Sequence, residues 1–437
     1  MAISMTNTFE ALERLESGAL DRSFTYLYGG DGIAVQKARY CEAVKCFEEL
    51  FGAQRPVRFF SAPGRTEVGG NHTDHQHGRV LAAGVNLDVI AVASPCQGRT
   101  IRIQSKGFPM DTVSLDELEI QENEKNTAAA LIRGICARFL QLGYHVGGFD
   151  AYTTSNVLKG SGLSSSAAFE VLVGTILNYM YNEGKIPMVE IAKIGQYAEN
   201  IYFGKPSGLM DQTASAVGGF VTIDFEDPAR PVVEKISFDF EASGYALCIV
   251  DTGGNHADLT GEYAAVPQEM RSVAALFGRE VLRQVDPAAF FDQLPRVREA
   301  CGDRAALRAI HFFGDNERVI RQVAALRSGD FDAFKEEIVQ SGQSSYMYLQ
   351  NVYTTLNVQE QGLSIALAVT ERLLRGKGAW RVHGGGFAGT IQAFVPNAMV
   401  EAYKESIEKI TGCGSCYLLS IRPVGGVEVL DDLTAGV

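Results

Sequence analysis

The sequence predicts an α+β protein of two domains. Strand-like and helical segments are mixed without a regular strand–helix–strand order, which favours α+β over a doubly wound parallel sheet. The pattern is almost entirely helical from residue 262 to about residue 374, whereas both types occur before it. A length of 437 residues corresponds to two or three domains at ~150 residues each. The segment Glu226-Asp-Pro-Ala-Arg-Pro231 interrupts the pattern, so the predicted domains are residues 1–225 and 226–437.

Each element follows from hydrophobic periodicity and from the residues that begin or end helices. Gly143 ends the helix that begins near Thr127, and Pro187 begins a helix that Gly204 ends. Apolar residues at helical spacing predict helices in residues 8–53, 127–142, 168–181, 187–204, 262–278, 315–328, 330–341, 359–375 and 398–411. Alternating or short apolar runs predict strands in residues 85–93, 100–105, 149–154, 219–225, 246–251 and at both ends of 380–395, and residues 63–78 are predicted to form a loop.

Composition and charge exclude several classes of function. Acidic residues outnumber basic residues 52 to 39, and the net charge of -13 argues against a broad surface for nucleic acid or anionic membranes. The sequence shows no secretory signal and no run of roughly 18 apolar residues, so no membrane span is expected. The eight cysteines are too sparse for a disulfide framework and predict reduced thiols in a cytoplasmic protein. The isolated Cys413-Gly-Ser-Cys416 pair is interpreted as packing rather than as a zinc or redox site.

A segment rich in glycine and serine, the Gly-Ser loop, has the sequence Gly160-Ser-Gly-Leu-Ser-Ser-Ser-Ala167 and leads directly into a helical pattern. Its glycines let the backbone approach a ligand closely, and the free N–H groups at a helix N-terminus favour an anion. A serine hydroxyl in such a place can also bind Mg²⁺, although the Walker A sequence is absent from the chain. The alternative is a serine that simply caps the helix after a flexible turn.

Residues 63–78, the histidine segment, concentrate polar side chains between glycines. The members with hydrogen-bonding or charged groups are Arg65, Glu67, Asn71, His72, Asp74, His75 and His77. This density of donors and acceptors suits recognition of a polyol. A zinc site built from the three histidines with Asp74 is the alternative, but the spacing matches no zinc motif with a clear mechanical basis.

Two carboxylates and a glycine turn complete the candidate features. Asp211 lies in Gly208-Leu-Met-Asp-Gln212 and is either a helix cap or a functional carboxylate, with Glu199 twelve residues before it. Near a phosphate site, one such carboxylate can bind Mg²⁺ while the other accepts a proton. The glycine turn, residues 383–389, formally matches GxGxxG, but a strand follows it where a dinucleotide site needs a helix. It is therefore interpreted as a tight turn or a close approach of backbone to a ligand.

Together these segments resemble the GHMP small-molecule kinases, and within that family the branch that phosphorylates galactose. The start of the histidine segment is similar to GRVNLIGEHTDY, the Gly-Ser loop to GxGLSSSA, and residues 208–212 to CGIMDQ. Residues 380–395 are similar to the C-terminal glycine motif, and Glu262-Tyr263 to SEY, so that the match extends over most of residues 35–425. The resemblance implies a two-domain GHMP-kinase-like fold with the active site between the domains. It also implies transfer of the γ-phosphoryl group of ATP to the C1 hydroxyl of galactose.

The same resemblance implies roles for individual residues. Asp211 would be the catalytic base with Arg65 as its partner, and Ser166 and Glu199 would hold Mg²⁺. Contacts with the sugar would come from Asn71, His72, Asp74, Gly208 and Tyr263. Contacts with ATP would come from Gly160, Ser161, Gly162, Leu163, Ser164, Ser165, Ser166 and Ala167. The implied partners are a small sugar and ATP, without nucleic acid or membrane; the oligomeric state is left open, a monomer included.

Several positions depart from the family pattern. Asn71 stands where the family usually has Glu, Glu67 where it has Asn, and His75 where it has Tyr. Three further departures are Leu158 for Pro, Ser207 for Cys, and His383-Gly-Gly-Gly386 for Thr-Gly-Ala/Gly-Gly. The lost charge at position 71 leaves open which sugar is bound. A kinase for another sugar, a nonenzymatic sensor of sugar and ATP, and a zinc hydrolase remain alternatives, but a sensor has no need of a base.

Overall fold

The computed structural model describes residues 6–157, 162–254 and 259–436. Its helices are α1 (Thr8–Ser17), α2 (Asp21–Tyr28), α3 (Ile33–Phe51), α4 (Ala128–Gln141), α5 (Ser165–Tyr181), α6 (Met188–Tyr197), α7 (Met210–Val217), α8 (Thr260–Leu276), α9 (Pro287–Asp292), α10 (Leu294–Cys301), α11 (Asp303–Ser328), α12 (Phe331–Ser344), α13 (Gly362–Leu374) and α14 (Val400–Thr411). Its strands are β1 (Thr6–Asn7), β2 (Pro56–Gly69), β3 (Arg79–Pro95), β4 (Thr100–Ser105), β5 (Met110–Ser114), β6 (Phe149–Ser155), β7 (Phe220–Asp224), β8 (Val232–Ile236), β9 (Tyr245–Asp251), β10 (Ala379–His383), β11 (Thr390–Pro396), β12 (Cys416–Leu419) and β13 (Val427–Glu428).

The strands of the described residues form two sheets. The larger sheet has the order β1-β2-β3-β6-β4-β5, with β13 added beside β2 and the β7–β8 pair added beside β3. The smaller sheet has the order β10-β11-β9-β12. Neighbouring strands are antiparallel except β4 and β6, which are parallel. Helices packed on mostly antiparallel sheets confirm the predicted α+β class.

The larger sheet is covered by helices on both faces. Successive residues of β3 alternate between the two sides: Ala91 and Ala93 face the core formed with α4 to α7, whereas Ile90 and Val92 face the core formed with α1 to α3. The first of these cores continues through α11 and α12 to the smaller sheet, where Phe394 is fully buried. The smaller sheet in turn packs against α13 and α14. The two sheets are therefore joined by one continuous apolar core.

Most predicted elements are confirmed, and the loop at residues 63–78 is partly wrong. Residues 63–69 continue β2 and pair with β3, and only the part after Gly69 leaves the sheet. The sequence does not predict this strand for two reasons. Register shifts between Pro63 and Arg65 and between Glu67 and Gly69 break the alternation of apolar and polar residues, and both faces of the strand are buried here. The helix predicted at 315–328 is the second half of the longer α11. Within the described residues, no helix is both long and apolar enough to cross a membrane.

The chain returns to the larger sheet at its C-terminal end. Strand β13 pairs with β2, and Val427 packs in the core under α1 to α3. Strand β8 also joins this sheet, beside β7. The larger sheet thus includes two strands from beyond residue 225, and the division of the chain at that residue remains a prediction.

A buried ionic cluster ties this returning segment to the core. The carboxylate of Asp88, on β3, is fully buried and accepts hydrogen bonds from Arg39 at 2.6 Å, from Arg422 at 3.1 Å, from Tyr28 at 2.6 Å and from the hydroxyl of Ser61. Burial raises the pKa of Asp88, but the two guanidinium groups more than offset that rise and leave the pKa below its ordinary value. The cluster joins α2, α3, β2, β3 and the C-terminal segment through one anion.

Candidate active site

A polar cavity of about 200 Å³ opens where β2, the start of α7 and the glycine turn meet. Its wall combines residues that are far apart in the sequence, as expected for a site between two parts of the fold. The lining residues are Arg65, Glu67, His72, Asp74, His75, Ser207, Gly208, Met210, Asp211, Gly384 and Gly385. Five of the seven residues predicted to act in catalysis or sugar binding line this cavity: Arg65, His72, Asp74, Gly208 and Asp211.

The predicted catalytic pair is in direct contact. Arg65 Nε donates to Asp211 Oδ1 at 2.7 Å, and the hydroxyl of Ser164 donates to the other carboxylate oxygen. Burial raises the pKa of Asp211, but Arg65 and the Ser164 hydrogen bond more than offset it, so the pKa lies below its ordinary value. The side chain of Asp211 is 33% exposed and faces the cavity. An ionised carboxylate in this position can accept a proton from a hydroxyl group bound in the cavity.

The described part of the Gly-Ser loop lies beside this pair. Arg65 donates from its backbone N–H to the carbonyl of Leu163 at 3.0 Å and from its guanidinium to the carbonyl of Gly162. Helix α5 begins at Ser165, so its free N–H groups and the positive end of its dipole are adjacent to Asp211. Gly160 and Ser161, also predicted to bind ATP, lie outside the described residues. The loop therefore meets the cavity at Asp211.

A second group of carboxylates lies behind the start of α5. The side-chain amide of Gln212 donates to Glu170 at 2.9 Å and to Glu199 at 2.8 Å, and Lys205 donates to the other oxygen of Glu199 at 3.1 Å. Burial and the neighbouring Glu199 raise the pKa of Glu170 well above its ordinary value. Glu170 Oε1 is buried and has no hydrogen-bond partner among the described residues. Because Ser166 lies one turn before Glu170 on α5, the group offers hydroxyl and carboxylate oxygens on one side of the helix, which fits the ligand preference of Mg²⁺.

The residues predicted to contact the sugar occupy different places. His72 and Asp74 line the cavity, with the ring of His72 donating from Nε2 to the carbonyl of Gly385 at 3.0 Å. Burial, with a further contribution from His75, lowers the pKa of His72 to about 4, so the ring is neutral at pH 7. Gly208 also lines the cavity, and a Cβ there would lie 3.0 Å from Asp74 Oδ2 and crowd that carboxylate.

Asn71 and Tyr263 lie outside the cavity wall. Tyr263 stands behind the glycine turn, where its hydroxyl donates to the carbonyl of Gly386 at 2.7 Å. Asn71 is fully buried, and its backbone is held by α11: its N–H donates to Asp315 at 2.9 Å and its carbonyl accepts from His311 at 2.9 Å. These two polar residues of α11 were not predicted, because nothing in a helical pattern shows that a polar face is buried against a distant loop.

The histidines of the histidine segment do not gather around one point. The rings of His72 and His75 are 6.0 Å apart. Burial lowers the pKa of His77, and the charged groups that act on it are Glu280 and Arg271 rather than residues of the cavity. Over residues 6–157, 162–254 and 259–436, no group of three His, Cys, Asp or Glu side chains is arranged to hold a metal ion. Cys413 is exposed while Cys416 is buried. The zinc alternative has no support in this geometry.

Comparison with protein families matches two separate parts of the chain. A family model described as the GHMP kinases N terminal domain matches residues 127–219, which contain the Gly-Ser loop and Asp211. A model described as the galactokinase galactose-binding signature matches residues 45–95, which contain the histidine segment. Of the segments that line the cavity, the family models thus match the histidine segment and the segment that contains Asp211, whereas the glycine turn lies outside both matches.

Similar proteins cover nearly the whole chain. A galactokinase of Streptomyces coelicolor is 33% identical over 367 residues, which are 83% of this chain and 90% of the relative. A galactokinase of Actinobacillus pleuropneumoniae is 30% identical over 392 residues, 85% of this chain and 94% of the relative. Among solved structures, Lactococcus lactis galactokinase complexed with galactose superposes with a TM-score of 0.74 at 24% identity, covering 88% of this chain and 98% of that one. Methanococcus jannaschii mevalonate kinase superposes with a TM-score of 0.60 at 14% identity, covering 84% and 98%.

Proposed function

This chain belongs to the galactokinase family of the GHMP kinases, and from that premise we propose that it transfers the γ-phosphoryl group of ATP to the C1 hydroxyl of galactose. It is an ATP-dependent sugar kinase, with galactose as the proposed sugar. The observation that carries the proposal is the contact of Asp211 with both Arg65 and Ser164. That contact sets an ionised carboxylate between the Gly-Ser loop and a cavity of polar side chains.

In the proposed mechanism, the sugar and ATP bind on opposite sides of Asp211. On the cavity side, Asp211 accepts the proton of the sugar's C1 hydroxyl as the oxygen of that hydroxyl attacks the γ-phosphorus. The bond between the γ-phosphorus and the β,γ-bridging oxygen breaks, and ADP leaves with that oxygen. On the other side, the backbone N–H groups at the start of α5 hold phosphate oxygens, so that the two reactants are fixed in line. Arg65 keeps Asp211 ionised and adds positive charge where negative charge spreads over the transferred group.

Mg²⁺ is the metal we propose for this reaction, with Ser166 and Glu199 as the residues that would hold it. When bound there, the ion would neutralise negative charge on the phosphate groups of ATP. The protein prepares the position by fixing Glu199 between Gln212 and Lys205.

All eight cysteines are free thiols, which supports a cytoplasmic location.

The sugar assignment is tested by measuring ATP consumption with purified protein, Mg²⁺ and a panel of aldohexoses. Galactose is expected to be turned over well above the rate without sugar and above the rates with glucose and mannose. The product is expected to lose its reducing-sugar reaction, because phosphorylation at C1 blocks the hemiacetal. If galactose gives no more turnover than water, the assignment of galactose fails, and turnover of another aldohexose identifies the substrate.

Ser164 provides a separate prediction, because it combines the hydrogen bond to Asp211 with a left-handed backbone at φ 55° and ψ 65°. Both Ser164→Ala and Ser164→Gly remove the hydroxyl, so each is expected to lower kcat about tenfold. Only the glycine variant relieves the backbone strain, and it is expected to be more stable than the alanine variant by about 1 kcal/mol. Steady-state kinetics and thermal denaturation of the two variants check this. Equal kcat in Ser164→Ala and wild type would contradict the role given to the hydroxyl.

A further inference from the structure

Asn71 has no hydrogen-bonding capacity left for a substrate. Its Nδ2 donates to Glu67 Oε1 at 2.9 Å and to the carbonyl of Gly384 at 2.8 Å. Its Oδ1 accepts from Asn351 Nδ2 at 2.8 Å and from the hydroxyl of Ser345 at 3.2 Å. A side-chain amide has two donor hydrogens and two acceptor lone pairs, so all four positions are filled. The orientation of the amide is also fixed, because a carboxylate and a carbonyl can only accept.

Glu67 lines the cavity that Asn71 does not reach. It is held there by one of its two oxygens: Oε1 accepts from Asn71 and, at 2.7 Å, from Arg381 Nη2. Arg381 is fully buried and is itself fixed by hydrogen bonds to the carbonyls of Val68 and Val382. Oε2 of Glu67 makes no hydrogen bond within the described part of the chain, nor is it among the buried polar atoms that lack a partner. The fixed carboxylate therefore has one oxygen free to accept a hydrogen bond from a molecule in the cavity.

The position of Glu67 along β2 indicates which part of a sugar it meets. Arg65 and Glu67 are alternate residues of one strand, so their Cα atoms are about 6.6 Å apart along it. Arg65 contacts the base Asp211, and the C1 hydroxyl must lie within hydrogen-bonding distance of that base. A hydroxyl that reaches Glu67 is therefore one far from C1. Across a hexose ring, the hydroxyls farthest from C1 are those on C4 and C6.

We propose that Glu67 is a further sugar-binding residue of this site, accepting through Oε2 a hydrogen bond from the C4 or C6 hydroxyl of the bound hexose. Asn71 and Arg381 are positioning residues that hold its Oε1. The inference rests on the proposed function, since it takes a hexose as the occupant of the cavity. The proposal explains the departure from the family pattern at position 71. The carboxylate stands four residues earlier, at Glu67, and the side-chain amide of Asn71 holds it in place.

The test combines Glu67→Gln with deoxy analogues of galactose. The variant keeps the shape of the side chain and an oxygen for Asn71 and Arg381, but it removes the charge that faces the cavity. We expect the KM for galactose to rise about tenfold, with the KM for ATP unchanged and kcat within about threefold of wild type. Wild type is expected to show a similar rise for either 4-deoxygalactose or 6-deoxygalactose. For that analogue, Glu67→Gln adds no further rise, because the hydroxyl that Glu67 would contact is already missing.

A matched control is Glu428→Gln, since Glu428 is also a buried carboxylate paired with an arginine, Arg58, but lies on β13 away from the cavity. It is expected to leave the KM for galactose unchanged. The proposal is overturned if Glu67→Gln leaves that KM unchanged, or if it raises the KM equally for galactose and for both deoxy analogues. The wild-type measurements with the analogues give the answer independently if Glu67→Gln does not fold, because equal KM values for galactose and both analogues would exclude a contact at C4 or C6.

Failure of the proposed function is distinguishable from failure of this inference. If wild type phosphorylates another aldohexose instead of galactose, the sugar assignment falls, and the same comparison with the deoxy analogues of that sugar decides the role of Glu67. If calorimetry detects binding of no aldohexose to wild type, both fall together.

Discussion

Replacing Asp211 with asparagine is expected to lower kcat by about 10³-fold or more while leaving the protein folded. Asparagine keeps an oxygen to accept from Arg65 and places its amide next to Ser164, whose hydroxyl can accept as well as donate. What it loses is the ability to take up the proton of the sugar hydroxyl, and general base catalysis of this kind contributes about 10²- to 10⁴-fold. Steady-state kinetics with galactose and ATP measure the effect.

The control for this variant is binding rather than rate. Calorimetric titration of Asp211→Asn with galactose is expected to give an affinity within about tenfold of wild type, because the other cavity residues are unchanged. A kcat within tenfold of wild type would show that Asp211 is not the base. The pH dependence gives a second check: since the pKa of Asp211 lies below its ordinary value of 3.8, protonation of Asp211 is not expected to reduce activity above about pH 5.

Asp88→Asn is expected to lower the free energy of unfolding by about 3–5 kcal/mol. Asp88 is fully buried between the guanidinium groups of Arg39 and Arg422, and a neutral side chain would leave both cations without an anion. Asp224 provides the matched control, because it also pairs with two arginines, Arg79 and Arg283, but is 23% exposed. Asp224→Asn is expected to cost about 1 kcal/mol or less. Urea denaturation of the two variants measures the difference, and an equal effect of both would contradict it.

The effect of Asp88→Asn is also expected to depend on pH. The folded pKa of Asp88 is depressed, so the cluster stabilises the protein fully above the unfolded pKa of about 3.8 and less as the pH falls through the folded pKa. The difference in stability between wild type and Asp88→Asn should therefore start to shrink below about pH 3.8 and disappear once the pH lies below the folded pKa of Asp88. A constant gap between them down to acid pH would show that the charge of Asp88 is not what stabilises the cluster.

The sequence predicted the parts of the site that are made from short, contiguous signals. The Gly-Ser loop before α5 and the carboxylate of Asp211 at the start of α7 could be recognised because glycine, serine and acidic residues next to a helix start have a physical meaning of their own. The pairing of Arg65 with Asp211 came from the resemblance, and the structure places them in contact. Local pattern and family likeness together therefore predicted which residues meet at the Asp211 end of the cavity.

The other end of the cavity could not be predicted in the same way. The environment of Glu67 depends on Asn71, four residues away, and on Arg381, 314 residues away, and no periodicity connects such positions. The strand that carries Glu67 was interpreted as a loop because its bulges and its two buried faces erase the alternation. The resemblance predicts a contact of Asn71 with the sugar from its position in the motif alone. In the folded chain, the hydrogen-bonding groups of its side chain are occupied by residues that are distant in the sequence.

The return of the C-terminal segment to β2 has a consequence for the order of events during synthesis. The larger sheet consists mainly of strands that precede residue 225, but Arg422 and β13 are synthesised only after every strand of the smaller sheet. Until then Asp88 lacks one of its two cations, and β2 lacks its neighbour β13. Helices and strands before residue 225 can form earlier, yet the larger sheet reaches its final structure only after Val427 and Glu428 have been synthesised.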